Sequence, residues 1–242
     1  MRPIVVALIV LLPLAAHAEA GAVSFLEGEA TVTPRGGEAL PLQSGASVDV
    51  GDLVETAPGG RVELTLADGS VVRLGEKSRL SVDAVSKAAA AQNWTVNLSL
   101  GLGSLWAKVT KRIAGENTFE VSTERVVAGV RGTEFLVDAG EEHAVSVLEG
   151  EVQVGARDDK GALTHFSVRA NQRIRVDGKL RCSGREEAKV REHKLVGWKD
   201  QRRQQKDRDE RRTDKDDRRK DKADRRDRKE GFRERQREQR LH

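Results

Sequence analysis

Histidine, cysteine and clustered carboxylates are the side chains that most often do chemistry in proteins, and here they are few or scattered. The single cysteine, Cys182, excludes an internal disulfide and a multi-cysteine metal site. Cys182 is predicted to be either a free thiol or part of a disulfide bond between two chains. The five histidines share no metal-ligand or general-base spacing; they stand at positions 17, 143, 165, 193 and 242. The sequence therefore predicts no catalytic residue, no metal site and no cofactor.

Two carboxylate pairs have a spacing that invites an acid/base interpretation. Glu27 and Glu29 flank one glycine, and Glu149 and Glu151 flank another. Residues two apart on a strand point to the same face, so each pair is predicted to lie on one solvated face of a sheet. An enzyme acting on polysaccharide would need two carboxyl groups about 5–10 Å apart, for instance Glu29 with Glu151.

An arginine between two apolar segments is a candidate for ligand contact. It lies in the segment Val130-Arg131-Gly132-Thr133, where the forked guanidinium of Arg131 could hold an anionic group. The alternative is structural: Gly132 makes a sharp bend, and Arg131 satisfies buried carbonyls or pairs with a carboxylate such as Glu134.

Two tryptophans are the other candidates for ligand contact. Trp94 and Trp106 both lie in strand-like stretches. A tryptophan in such a place is either a platform for sugar rings or a packing residue at the core or the sheet edge. The sequence leaves both interpretations open.

These candidates must be positioned by strands. Short alternating apolar segments separated by Gly, Asp, Asn and Pro run from about residue 21 to 180, which is typical of an antiparallel all-β domain. We predict a β-sandwich or β-roll of about 12 short strands. Asp68-Gly69 marks a hairpin, because tight turns need positive φ. The alanine-rich residues 84–91 break the alternation and form either a loop or a short helix, of which we favour one or two helical turns.

An internal repeat organises the strands. The ten residues from Val23 return from Val145 with seven identities, including Gly28 and Gly150. Each copy is predicted to be strand, glycine turn or bulge, strand, loop, strand, turn, strand. Two copies around a central insertion would build a sandwich in which the repeats pack as related layers. Residue types that adopt the left-handed conformation predict the later turn of each copy; they are Gly45 and Asn171.

The start of the chain predicts export. Arg2, an apolar run over residues 4–14 and small residues at Ala16 and Ala18 match a secretory signal peptide; an uncleaved N-terminal anchor is the alternative. The run is shorter than the about 20 apolar residues that span a bilayer, so the mature chain is predicted to have no transmembrane segment. We divide the chain into a signal peptide (1–18), a β domain (19–182) and a tail (183–242).

The tail differs from the body in charge. Residues 185–242 hold 24 Lys and Arg against 16 Asp and Glu, a net charge of +8, which leaves −4 for the rest. A seven-residue charge repeat from position 209 has no apolar seam, so the tail is predicted to be a charged, α-helical or disordered extension. One apolar spot is predicted to dock its start onto the β domain: Lys194, Leu195, Val196 and Trp198.

Two interpretations of the tail remain open. It binds an anionic surface, such as lipopolysaccharide or lipid head groups, or it is only a solvating spacer. Nucleic acid is not predicted as a partner, because the chain is predicted to be exported and its basic residues lack interleaved aromatic residues apart from Phe232.

An ordered series of motifs resembles the FecR domain over about residues 22–180. The motifs are Gly51-Asp52, the Asp68-Gly69 hairpin, Gly103-Ser104-Leu105-Trp106, the 119–137 segment centred on Arg131-Gly132-Thr133, and the 148–152 segment around Gly150. The resemblance implies a periplasmic β-rich domain. In the best-known members this domain senses an outer-membrane transporter, and a cytoplasmic segment controls a sigma factor. Those regulators have a transmembrane helix ahead of the domain, whereas this chain resembles a stand-alone secreted member.

We therefore expect a non-catalytic protein of the bacterial envelope, periplasmic or secreted. Its β domain is expected to engage a protein or glycan partner, and its basic tail to contact anionic surfaces. The alternative function is that of a soluble periplasmic sensor in transmembrane signalling related to FecR-type sigma-factor regulation.

Overall fold

The structure is a computed structural model. It describes residues 19–88, 93–111, 117–141, 143–157, 161–176 and Leu195. The chain divides into two units, Met1–Leu195 and Val196–His242. The second unit, the predicted signal peptide and Cys182 lie outside the described residues, so the description below concerns the first unit. The predicted helical or disordered state of the tail therefore stays a prediction.

Strands are the regular elements of the described residues, which confirms the predicted all-β class. They number seventeen: β1 (Glu19–Glu27), β2 (Ala30–Thr33), β3 (Leu40–Pro41), β4 (Ser47–Asp49), β5 (Leu53–Thr56), β6 (Arg61–Leu66), β7 (Val71–Leu74), β8 (Arg79–Lys87), β9 (Trp94–Leu102), β10 (Ser104–Lys108), β11 (Thr118–Ser122), β12 (Val126–Val130), β13 (Glu134–Ala139), β14 (His143–Glu149), β15 (Glu151–Arg157), β16 (Leu163–Arg169) and β17 (Gln172–Val176).

The strand count exceeds the predicted number of about twelve for two reasons. The shortest strands, β3 and β4, have two and three residues, too few to show alternation. A long apolar run is also divided at Gly103, whose φ of +87° turns the chain between β9 and β10. The predicted helix over residues 84–91 is wrong for residues 84–87, which extend β8; residues 89–92 lie outside the described part.

Two sheets form the sandwich. Sheet 1 has eight strands in the order β17-β14-β13-β10-β7-β6-β1-β4, and sheet 2 has nine in the order β16-β15-β12-β11-β9-β8-β5-β2-β3. Neighbouring strands are antiparallel except β9 and β11, which pair in parallel. One hydrophobic cluster takes the inward side chains of both sheets. Burying each Val or Leu of this kind contributes about 1.5–3 kcal/mol relative to exposure.

The internal repeat is built as predicted, strand by strand. At Gly28 and Gly150, both with positive φ, the chain leaves a strand of sheet 1 and enters one of sheet 2. The later turns also have positive φ, +85° at Gly45 and +62° at Asn171. In each copy the last strand returns to sheet 1 beside the first.

The two copies do not pack as related layers, which corrects that part of the prediction. The first copy forms one end of both sheets, with β1, β4, β2 and β3, and the second copy forms the other end, with β14, β17, β15 and β16. The central strands lie between them. The reason is that each copy contributes one pair of strands to each sheet, so two copies can only extend the sandwich sideways.

Candidate functional site

Arg131 is positioned by the connection that carries the chain from sheet 2 to sheet 1. β12 ends at Val130 and β13 begins at Glu134. Gly132 makes the bend with φ of +62°, and a Cβ there would lie 2.7 Å from the Cβ of Lys111. Thr133 is buried, and its carbonyl accepts the N–H of Val109 at 2.9 Å. The predicted bend at Gly132 is therefore present, and it leaves the Arg131 side chain exposed.

Glu134 was the suggested carboxylate partner of Arg131. It lies on β13 in sheet 1, where it accepts hydrogen bonds from Trp106 Nε1 at 3.2 Å and from Lys108 Nζ at 3.3 Å. These contacts place Glu134 among side chains of sheet 1, on β10, rather than on the sheet 2 surface that Arg131 joins.

A narrow recess brings together residues that the sequence singled out for separate reasons. Asp68, Trp94, Arg131 and Gly132 all line it. Its volume of about 10 Å³ has room for roughly one water molecule. The hairpin, the tryptophan and the bend thus meet at one place, although they are distant in sequence.

The predicted Asp68-Gly69 hairpin fixes one side of the narrow recess. The Asp68 carboxylate accepts the backbone N–H of Ser70 at 2.9 Å and its hydroxyl at 2.6 Å. The hydroxyl oxygen of Ser70 accepts the N–H of Thr110 at 3.2 Å. Gly69 has a positive φ of +84°, as the predicted hairpin turn requires. The buried Asp68 therefore stabilises the turn, and through Ser70 it also links the hairpin to the segment after β10.

Trp94 is held by the parallel pair of strands. β9 and β11 run side by side, so Trp94 at the start of β9 lies next to Asn117, just before β11. The backbone N–H of Trp94 donates to Asn117 Oδ1 at 2.8 Å. The indole is half-buried and packs on the edge of the core. Trp94 thus has a packing role and also contributes to the wall of the narrow recess.

An open recess shares Arg131 with the narrow one and is larger, at about 510 Å³. It lies on sheet 2 across β11, β12 and β15. Its polar lining faces solvent, whereas Phe119, 3% exposed, lies beneath. The lining residues are Asn117, Thr118, Phe119, Glu120, Gly129, Val130, Arg131, Glu151 and Gln153.

Hydrogen bonds keep the Glu151 carboxylate ionised at the rim of the open recess. The hydroxyl of Ser167 donates to it, and this bond is the main reason that the pKa of Glu151 lies below its usual range; the positive charge of Arg169 adds to the effect. Gln153 Nε2 donates at 3.2 Å. The recess therefore presents a guanidinium, carboxylates and amides, which are groups that bind polar partners through hydrogen bonds.

Trp106 lies elsewhere. It stands on β10 in sheet 1, is 4% exposed, and has the guanidinium of Arg73 over its ring at 4.1 Å from the centroid. Trp106 does not line either of the two recesses around Arg131. Of the three candidate contact residues, Arg131 and Trp94 are brought together, and Trp106 is separate.

The carboxylate pairs are solvated, but the predicted geometry is wrong. Glu149 ends β14 in sheet 1 and Glu151 begins β15 in sheet 2, so the pair does not share one strand face. The positive φ at the intervening glycine is the cause. Glu29 precedes β2, six strand positions from β15 in sheet 2, roughly 29 Å at the usual strand spacing. Glu29 and Glu151 therefore do not form a carboxylate pair suited to glycoside hydrolysis.

Several lining residues were missed by sequence reasoning. Asn117, Glu120 and Gln153 are single polar residues on outward-facing positions, which the sequence does not distinguish from ordinary surface. The strand register brings them together, because Glu120 pairs with Gly129 and Gly129 with Gln153. A signal that could have helped is Gly129, since a glycine inside a strand leaves space above the sheet.

The surface around Arg131 presents polar groups on the outer face of sheet 2. In the described ranges no group of three or more His, Cys, Asp or Glu could hold a metal ion. Nor does any helix in those ranges have the length and apolar character needed to cross a bilayer. The described residues form a two-sheet, all-β domain with an open polar recess on sheet 2.

Comparison with known proteins gives one family match. Residues 52–153 match the family model described as FecR protein, which confirms the resemblance carried by the motifs. The match includes the hairpin at Asp68, the bend at Gly132 and the second copy of the repeat as far as Gln153. No curated protein matches the chain at a significant level.

Two solved structures are similar to part of the chain. Both are crystal structures of a "putative anti-sigma factor" from Parabacteroides distasonis ATCC 8503, at 1.65 Å and 2.50 Å resolution. Each is 20% identical to this chain, with a TM-score of 0.46. The alignment covers 60% of this chain and 63% of that one, so the match spans less than two thirds of the other protein.

Proposed function

We propose that this protein is a non-catalytic binding protein of the bacterial cell envelope, in which the FecR domain engages a partner through the open recess at Arg131. The observation that carries the proposal is the lining of that recess: the exposed guanidinium lies among carboxylate and amide groups on the solvent face of sheet 2. Export, predicted from residues 1–18, would place this surface in the periplasm or outside the cell.

A protein segment fits the recess better than a sugar does. Sugar rings stack on exposed aromatic faces, whereas Phe119 is 3% exposed and Trp94 is half-buried. Guanidinium and amide groups pair readily with the carboxylate and backbone groups of a peptide. We therefore favour a partner that presents a carboxylate to Arg131, and a glycan partner is the alternative outcome.

Replacement of Arg131 tests the proposal. A photo-crosslinking residue in place of Thr118, an exposed residue of the recess, should capture the partner in intact cells of the native host. Arg131→Ala should lower the yield of that product about tenfold or more, since a hydrogen bond to a charged group contributes about 1.5–3 kcal/mol. Mass spectrometry of the product identifies the partner as protein or glycan.

Arg157→Ala is the matched control, because Arg157 is exposed on β15, at a position that does not line the recess. Equal crosslinking yields from the Arg131 and Arg157 variants would contradict the proposal.

A sensing function is the second candidate, and the FecR domain match is what favours it. A soluble sensor would pass a signal to a membrane regulator. The same crosslinking experiment separates the two functions: capture of a membrane-embedded regulator supports sensing, and capture of cell-wall or outer-membrane material supports scaffolding.

The basic tail is proposed to add contact with an anionic surface such as lipopolysaccharide or lipid head groups. Each Lys or Arg near such a surface contributes about 1 kcal/mol, and this attraction falls off within a Debye length. Deletion of residues 199–242 should therefore remove binding to vesicles with anionic head groups, measured by co-sedimentation. Binding of the full chain should weaken as salt rises and should be absent with zwitterionic vesicles. Salt-independent binding, or binding that survives the deletion, would show that the tail is only a spacer.

A further inference from the structure

One row of side chains on the outer face of sheet 1 is covered, although an outer sheet face is commonly solvated. The strand register aligns five side chains in one row across β6, β7, β10, β13 and β14. All five lie outside the hydrophobic cluster between the two sheets. All five are nevertheless nearly inaccessible to solvent. Their exposed fractions are 6% for Glu63, 3% for Arg73, 4% for Trp106, 1% for Leu136 and 1% for Ser146. We call these five residues the outer row.

Leu195 lies on the outer row. It is 1% exposed, and its carbonyl accepts a hydrogen bond from Arg73 Nη1 at 2.9 Å. Its side chain lies beside Gly75, where a Cβ would lie 3.7 Å from Leu195 Cδ1. The docking predicted for the apolar spot at 194–198 is thus present at Leu195; the other members of the spot lie outside the described residues.

Two other contacts fix the Arg73 guanidinium, and its Nη1 is the atom that donates to the carbonyl of Leu195. Its Nε donates to Glu63 Oε2 at 2.8 Å, and its guanidinium lies over the Trp106 ring. Glu63 is itself oriented by the Ser24 hydroxyl, which donates to Oε1 at 2.9 Å. A guanidinium held in this way binds a main-chain carbonyl, and the leucine side chain lies beside Gly75.

We propose that the outer row is a peptide-binding face whose resident ligand is the Leu195 peptide of this same chain. The face holds the backbone of the peptide through Arg73, and the side chain at position 195 is buried beside Gly75. Buried ion pairs add little net stability compared with apolar residues of similar size. The Glu63–Arg73 pair therefore fixes where Leu195 docks rather than strengthening the sandwich. This face is distinct from the Arg131 recess, which lies on sheet 2.

Thiol accessibility at position 195 tests the proposal in the full chain. Cys182→Ser with Leu195→Cys leaves one thiol, which should react slowly with a thiol reagent because position 195 is buried. Adding Arg73→Met with Glu63→Gln removes the hydrogen bond to the carbonyl without leaving an unpaired buried charge. The labelling rate should then rise about tenfold or more, as loss of a charge-assisted hydrogen bond implies.

Arg79→Met with Glu55→Gln is the matched control, since that pair joins sheet 2 strands at 2.6 Å and its arginine side chain is 59% exposed. The control should leave the labelling rate unchanged. Arg73→Lys keeps a charge beside Glu63 and gives a second variant that also lacks the guanidinium fork. Circular dichroism checks that each variant is folded. Fast labelling in the parent, or a rate that neither Arg73 variant changes, would overturn the proposal.

Discussion

Arg73→Met is expected to lower the free energy of unfolding by about 3–5 kcal/mol, the usual cost of removing one partner from a buried ion pair. The two side chains are 4% and 8% exposed and lie 2.8 Å apart. Without Arg73, the Glu63 carboxylate stays buried but loses the guanidinium that neutralises its charge. Urea denaturation followed by circular dichroism measures the change.

Two further variants provide the comparisons needed to interpret that change in the free energy of unfolding. Arg79→Met breaks an exposed pair with Glu55, so it should cost no more than about 1 kcal/mol. Arg73→Met combined with Glu63→Gln should recover much of the loss, because replacing both partners leaves no isolated buried charge. If Arg73→Met lowers the free energy of unfolding as little as Arg79→Met does, the outer row is accessible to water in solution. That result would also contradict the proposed peptide-binding face.

The local elements were predictable from particular residues. The Asp68-Gly69 pair marked its hairpin because the turn needs a positive φ that glycine tolerates. The repeated unit around Gly28 and Gly150 marked two strand–glycine–strand units for the same reason. The bend at Gly132 followed from a glycine between two apolar runs. In each case the cause is a backbone conformation that few residue types adopt, and such information is local.

The covered outer row was not predictable. Arg73 alternates with Val72 and Leu74, and a charged residue in that pattern indicates a solvent-facing position. Arg73 is nevertheless buried, and it donates a hydrogen bond to the carbonyl of Leu195, 122 residues later in the chain. The parallel pairing of β9 with β11 was missed for a similar reason, because alternation predicts strands but not their neighbours. Which polar residues share the open recess depends on the pairing of β12 with β11 and β15, so the sequence showed individual candidates and not their assembly.

Long-range pairing also places the core directly behind the candidate site. Phe135 on sheet 1 is fully buried, and its ring meets Phe119 on sheet 2 edge to face, with centroids 6.4 Å apart and planes at 86°. Phe119 forms the floor of the open recess. Contact between the two rings therefore packs the inward face of sheet 1 against the floor of the open recess.

Phe135→Ala is expected to lower the free energy of unfolding by about 3–5 kcal/mol, since it removes a large buried side chain and leaves a cavity between the sheets. Leu102→Ala, at a residue that is 52% exposed, should stay within about 0.5 kcal/mol of the parent. Both are measured by urea denaturation. A second effect follows from the position of Phe119: under conditions where Phe135→Ala is folded, crosslinking from position 118 should fall, because the recess floor has lost its support. Unchanged crosslinking in a folded Phe135→Ala variant would mean that the partner does not contact this part of sheet 2.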